Sequence, residues 1–514
     1  MTPVTATTVP AAPAAPRLDF PSWLPAMLVK ELRQGLRARG FVGSFMGFQT
    51  VMIIAFFYAA VLPGGEAFDA ANGMFWSLFG VLLLGVTPLR ALAGLGSEIE
   101  GRSVDLLVLT RLNASRIVVG KWVSLMAQAA LLAAALLPYG VLRYYLGSVD
   151  LVSDLSTMAG LFGGCALLTA IALWVSSWPK GLRLLVGVSA VPAFLMLGNF
   201  MSMVGTNPML RYVLGSRYGY SSTPVAGWES AVLIAVLVYD GLLLIGFSLI
   251  QAARRLAPPA ENHASATRVL ALLTLLPPPF LALLVGAEMA AGHLMLSAGA
   301  LFIVCGMELS RVAEPMRVQV RPWLNSRRGW RVLSGPFLLP GWPSATLFTI
   351  VALGLLLGVT LLTDIGARSW FSPPFLTWWL ALAWVSLVFP ILTLTFLGNF
   401  WRFSVPGYWI VQGLMAILGI ISLGGTPGPH AKTYLLVMDA VSQILPGSSF
   451  WLGWQWVKPD ANWAGLTYTP LVFIGQFAVL VGTILLYRSR SRLYWRIVWD
   501  HASAQPRAPT GPPA

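Results

Sequence analysis

Charge is scarce in this sequence: 10% of the 514 residues are Asp, Glu, Lys or Arg, against roughly a quarter in an ordinary soluble domain. A chain that is 57% apolar, with a mean hydropathy of +0.75, cannot cover a single soluble core with polar surface. Cysteine is nearly absent. Cys165 and Cys305 lie inside apolar stretches without a CxxC neighbour, so no disulfide framework or thiolate metal centre is indicated. Histidine occurs four times, as His263, His293, His430 and His501, and no two share a helix face at metal-binding spacing. The chain also lacks a P-loop. Around Gly120 and Lys121, Ser115 replaces the first glycine and Trp122 the Ser or Thr that would hold magnesium.

What the sequence has instead is long apolar runs, which make the fold class all-α, a polytopic membrane protein. About 20 apolar residues cross the hydrocarbon layer as a helix. Twelve stretches qualify, at roughly 41–62, 74–95, 117–142, 155–178, 182–204, 229–252, 269–289, 292–309, 343–363, 375–399, 405–424 and 466–487. The seventh is interrupted by Pro277, Pro278 and Pro279, and is read with the eighth as a tight hairpin turning at Ala290 to Gly292.

The net charge of +14 does not mark a nucleic-acid partner, because the basic residues fall in short tufts between apolar runs. With the N-terminus inside, only Arg143, Arg211, Arg217, Arg368, Lys432 and Lys458 lie outside, and the other 27 of the 33 basic residues are cytoplasmic. That asymmetry is the positive-inside pattern, and it puts both termini in the cytoplasm.

Loop lengths divide the spans into two six-span units. Each has its longest cytoplasmic loop after its second span (96–116 and 310–342) and its longest outside segment before its sixth (205–228 and 425–465). The organisation expected is a disordered tail over 1–19, without a signal-peptide core. A six-span unit follows over 20–255, then a cytoplasmic linker over 256–267, a degenerate six-span unit over 268–487 and a basic tail over 488–514.

Two cytoplasmic segments carry functional signals. In the first, Leu28, Leu32 and Leu36 recur at i, i+4 and i+8, with Lys30, Arg33 and Arg37 on the rest of the turn. This spacing predicts an amphipathic helix on the inner membrane surface, either a topology anchor or a mechanical element. In the second, the loop over 97–121, Ser103 can cap a short helix with Asp105 in its first turn and Val104, Leu107 and Val108 on one face. A further helix starts at Asn113. Such an apolar-faced helix suits docking in a groove of a soluble partner; the plainer alternative is a solvated connector.

The basic amphipathic helix, then Glu98, Glu100, Gly101, Arg102, Asp105, Leu106, Leu107 and Thr110, with Gly120 and Lys121 downstream, resembles the permeases of the type-2 ABC exporter family over residues 20–255. One departure is Arg111, where many members have proline. The resemblance implies that the first segment is the family's elbow helix and that the eight residues from Glu98 to Thr110 belong to the coupling region seated on the ATPase. It further implies a multi-pass protein of the bacterial inner membrane partnered by a cytoplasmic ABC ATPase. The chain itself would be no enzyme and would bind no cofactor, ATP and magnesium being used by the partner. The pathway would be formed by one chain, a homodimer or a second permease, in contact with membrane lipid. The equivalent loop of the second half, from Glu308 to Pro315, lacks the signature.

Asp240, near the middle of the sixth span, is the one obvious intramembrane carboxylate. It is either a substrate or ion-pair contact or a protonated group bonding a neighbouring helix. Gln49, Gln128, Gln412 and Gln476 fit the interhelical role. Glu288 and Glu308 sit near span ends, where water is expected to reach them. Two other classes stay open on this reading: an ion-coupled secondary transporter, and a membrane-embedded transferase acting on lipid-linked substrates.

Overall fold

A computed structural model of the protein describes residues 26–61, 65–96, 113–146, 151–184, 186, 227–258, 260–309, 315–324, 329–363 and 470–503. All regular structure among them is helical. Seven helices are long and apolar enough to cross a membrane: Arg39–Val61, Ala70–Gly94, Ala114–Tyr145, Leu151–Ser176, Ala231–Leu256, Ala264–Leu284 and Trp342–Thr363. They coincide with the first, second, third, fourth, sixth, seventh and ninth apolar stretches of the sequence. The tenth and eleventh stretches, and nearly all of the fifth, lie outside the described residues.

The chain forms two compact units, Met1–Asn199 and Phe200–Ala514. In the first, α1 (Ala26–Arg37) bends at Ala38 into α2 (Arg39–Val61). The second span is compound: α3 (Gly65–Gly80), a π-helical turn over Val81–Val86 and α4 (Thr87–Gly94). Pro88 has no N–H for the carbonyl one turn back, and the ladder widens ahead of it, Thr87 N–H reaching Leu82 O. Two long helices follow, α5 (Ala114–Leu146) and α6 (Leu151–Ser176).

Aromatics of the second span centre this unit's core. Phe75, Phe79, Leu82 and Leu83 are buried against Met52 and Phe56 of α2, Met126, Leu132 and Leu136 of α5 and Cys165 of α6. The opposite face of α2 is apolar as well, with Ile54, Phe57 and Tyr58 more than half exposed. A helix that is apolar on both its packed and its open faces is a lipid-facing helix. Polar side chains tie the spans together: Gln49 donates to Ala135 O (2.9 Å) and accepts from the Tyr139 hydroxyl (2.7 Å). At the far end of α5, Arg143 is buried, paired with Asp154, bonded to Asn72 (2.7 Å) and set over the Phe75 and Trp76 rings.

The second unit begins with α7 (Gly227–Leu256), followed by α8 (Ala264–Leu273), α9 (Pro277–Leu284) and α10 (Ala287–Leu309). Then come α11 (Arg317–Leu324), α12 (Gly329–Leu338), α13 (Trp342–Thr363) and α14 (Pro470–Ser503). Its core lies between α8, α10 and α13, where Ala271, Leu294, Ala298, Leu301, Phe348 and Leu356 meet. Helix α7 packs on α8 and α9. It therefore groups with the helices that follow it, whereas hydropathy counted it as the closing span of the first six.

The hairpin in this region differs from the sequence expectation. The reversal falls at Gly286, whose φ of +135° suits glycine, and not at Ala290 to Gly292, which lie inside α10. The three prolines lie within the span Ala264–Leu284 and start its second helix, α9. Proline at the first helical positions loses no intrahelical bond and carries a preset φ.

Candidate functional site

The residues expected to couple to a partner, Glu98, Glu100, Gly101, Arg102, Asp105, Leu106, Leu107 and Thr110, lie outside the described residues. Both flanks of their loop are described, and both leave from one packed corner. Helix α4 lies along α6, with Gly94 so close to Leu173 that a Cβ there would come within 3.3 Å. Leu95 N–H, just past α4, donates to the Ser176 hydroxyl at 3.2 Å. On the other flank, Asn113 O accepts the first N–H groups of α5 (2.9 and 3.3 Å), which places the helix start where the sequence predicted it. Lys121 is buried, and Trp122 donates to Ala166 O of α6 at 3.0 Å. One turn further along, Arg90 of α4 bonds Gln128 of α5 (2.6 Å) and lies over the Phe41 ring of α2.

Helix α1 closes this corner. It packs along α5, and Leu28, Leu32 and Leu36 are all half-buried, with Leu36 against the unit's core. Lys30 and Arg37 are exposed, and together with Val29, Arg33 and Gln34 they line a shallow open recess. The apolar stripe is thus partly covered by protein, and the basic side is left outward.

In the second unit the prolines build an intramembrane polar site. In a continuous helix the carbonyls of Leu273 and Thr274 would receive the N–H groups of residues 277 and 278, but both are proline and have none. Leu273 O takes the Leu276 N–H instead (3.1 Å) and also accepts from the Tyr239 hydroxyl (2.9 Å), whereas Thr274 O is met by the Ser297 hydroxyl at 2.7 Å. Beside these two donors sits Asp240, about 20 Å along α7 from Gly227 at 1.5 Å per residue. Its Oδ2 is 2.8 Å from Nε2 of His293, whose Nδ1 is 3.2 Å from the Ser297 hydroxyl. The His293 side chain is 6% exposed and that of Asp240 33%.

Hydropathy gave no sign of this grouping, because a turn at Ala290 to Gly292 leaves His293 at the tip of the hairpin. With the turn at Gly286, His293 falls inside α10 and Ser297 one turn further on the same face. The readable signal was that i, i+4 pair on an otherwise apolar run. Ser297 is buried, with the Thr274 and His293 carbonyls both within reach of its hydroxyl.

A third polar group lies where α7, α8 and α10 approach each other. Glu308, expected near water, is 1% exposed and paired with both Arg254 and Arg268. Arg268 is fully buried and also donates to Phe337 O (2.7 Å), Leu339 O (2.9 Å) and the Ser344 hydroxyl (2.9 Å). It thereby satisfies carbonyls at the end of α12, where a helix favours a cation. Nearby, the Tyr494 hydroxyl donates to Pro340 O (2.6 Å). Burial pushes that phenol well above its ordinary range, against the opposing pull of Arg268, so it remains a donor.

Comparison of the chain with family models, curated proteins and solved structures returns no match.

Proposed function

We propose that the chain is the membrane-spanning permease subunit of an ATP-driven exporter, with a separate cytoplasmic ATPase docking on the loop over 97–121. The observation that carries this reading is the seating of that loop. Its flanks are fixed to α4, α5 and α6, and α1 braces α5, so force applied to the loop would move four helices together. A solvated connector needs no such footing. With this reading goes a topology of twelve spans, both termini cytoplasmic, in a bacterial inner membrane. ATP and magnesium would act on the partner.

The test is affinity purification of the tagged chain from mild detergent, with mass spectrometry for a stoichiometric soluble chain that bears a P-loop. Leu106→Asp with Leu107→Asp is expected to abolish its recovery while leaving the chain inserted, because the change removes an apolar anchor without touching a span. Undiminished recovery from the double mutant would remove the docking assignment.

A second reading, an ion-coupled secondary transporter, is favoured by one observation: a broken helix with a carbonyl freed by proline near an acidic group midway along a span, an arrangement such transporters use. Transport by vesicles without ATP would decide for it.

A further inference from the structure

We propose that Asp240 and His293 together form a proton-binding site within the membrane, whose occupancy is set by the acceptor that the Ser297 hydroxyl chooses. The proposal goes beyond the exporter reading and does not depend on what drives transport.

The Ser297 hydroxyl has one hydrogen and three acceptors in reach: Thr274 O at 2.7 Å, His293 O at 3.0 Å and His293 Nδ1 at 3.2 Å. Thr274 O has lost its helical donor to Pro278, and leaving a buried carbonyl unbonded is costly. The hydrogen therefore goes to Thr274 O. The Ser297 oxygen then faces Nδ1 with a lone pair, and that contact is bonding only if Nδ1 carries a hydrogen. The remaining contact, Nε2 to Asp240 Oδ2 at 2.8 Å, needs a hydrogen as well. It sits either on the carboxyl, with a neutral ring, or on the ring, as imidazolium beside carboxylate. In both forms the pair holds two protons and has no net charge.

If the Ser297 hydroxyl instead turns to Nδ1, the ring keeps a single hydrogen on Nε2, donated to the carboxylate. The pair then holds one proton and a charge of −1. The two arrangements differ by one proton and by the acceptor of the Ser297 hydrogen, and only the first keeps Thr274 O bonded. Because Asp240 is one-third exposed and His293 nearly closed off, the proton enters and leaves through the carboxyl.

Among the described residues, few other titratable groups lie on the helices around the pair. On α7, Tyr239 is engaged with Leu273 O. Helices α9 and α13 contain no titratable side chain. Helix α8 contributes only Arg268, which with Arg254 is paired to Glu308 of α10. Glu288 of α10 lies five residues before His293 and Cys305 twelve after it, Cys305 in the apolar core.

The experiment is nitrogen NMR of the full chain, labelled at histidine and held in lipid nanodiscs, with His293→Gln identifying the His293 signals. At neutral pH the expected spectrum shows a hydrogen on Nδ1, giving way to the Nε2-only form as pH rises. In Asp240→Asn that switch is lost, because the carboxyl that exchanges the second proton is gone. Ser297→Ala gives the Nε2-only form throughout, whereas Ser297→Thr restores the switch. A His293 in the unmodified chain that is Nε2-only from mildly acidic to alkaline pH would overturn the proposal, leaving an interhelical bond. So would a switch that survives Asp240→Asn. The unmodified chain alone decides the first point even if a variant does not insert.

Discussion

Arg268 and Glu308 illustrate, at the scale of single residues, how a membrane helix carries charge. Neither is reachable by water, yet each has its partners: two arginines around one carboxylate, and one of those arginines capping helix carbonyls. Removing the carboxylate strands both cations, so Glu308→Gln is expected to cost about 3 kcal/mol, the usual penalty for breaking a buried pair from one side. Thermal unfolding in detergent, followed by tryptophan fluorescence, measures it. The half-exposed pair of Glu261 and His263, at 3.0 Å, is the control. Glu261→Gln should change stability by no more than about 0.5 kcal/mol, because solvent screens that pair. Glu261 stands in the linker between two helices, whereas Glu308 ends a helix whose rotation about its axis decides which neighbours supply its partners.

At the scale of elements, the proline triplet has the largest consequences. It ends α8, begins α9 and frees the Thr274 carbonyl, which the Ser297 hydroxyl then occupies. Pro278→Ala therefore supplies the missing N–H to Thr274 O and makes the Ser297 bond redundant. Ser297→Ala should cost about 0.6 kcal/mol in the original chain, typical of an interhelical bond, and nothing measurable in the Pro278→Ala background. A double-mutant cycle on unfolding free energy reads the difference. At Gly286 a Cβ would meet no atom within 4 Å, so Gly286→Ala should destabilise through backbone conformation alone, by about 1 kcal/mol. Apolar periodicity located these helices well. Their joints were misplaced because a run of Leu, Ala and Pro gives hydropathy no contrast, and only the positive φ at Gly286 marks where the chain reverses.

For the whole molecule, the charge asymmetry makes a prediction that helix packing cannot. In a background of Cys165→Ala and Cys305→Ala, cysteines introduced at Lys432 and Lys458 should react with a membrane-impermeant maleimide in intact cells. Those introduced at Arg328 and Arg490 should react only after permeabilisation. External labelling at Arg328 would mean that the segment from Ala264 to Leu309 crosses once rather than twice. The seven long apolar helices, with open faces such as Ile54, Phe57 and Tyr58 as apolar as the packed ones, fit the lipid environment on which that count rests.

The sequence by itself determined the solvent and the elements: too few charges for a water-facing shell, and apolar runs long enough that in lipid only helices can satisfy their backbones. It also marked the basic face of α1 and the helix start at Asn113, since both depend on neighbours a few residues apart. The tertiary structure alone decided which polar groups meet. Asp240 and His293 are 53 residues apart, and their contact depends on how α7 and α10 are turned toward each other. That rotation follows from the packing of α7 on α8 and α9 and from the break at three prolines, neither of which is encoded in the periodicity of any single helix.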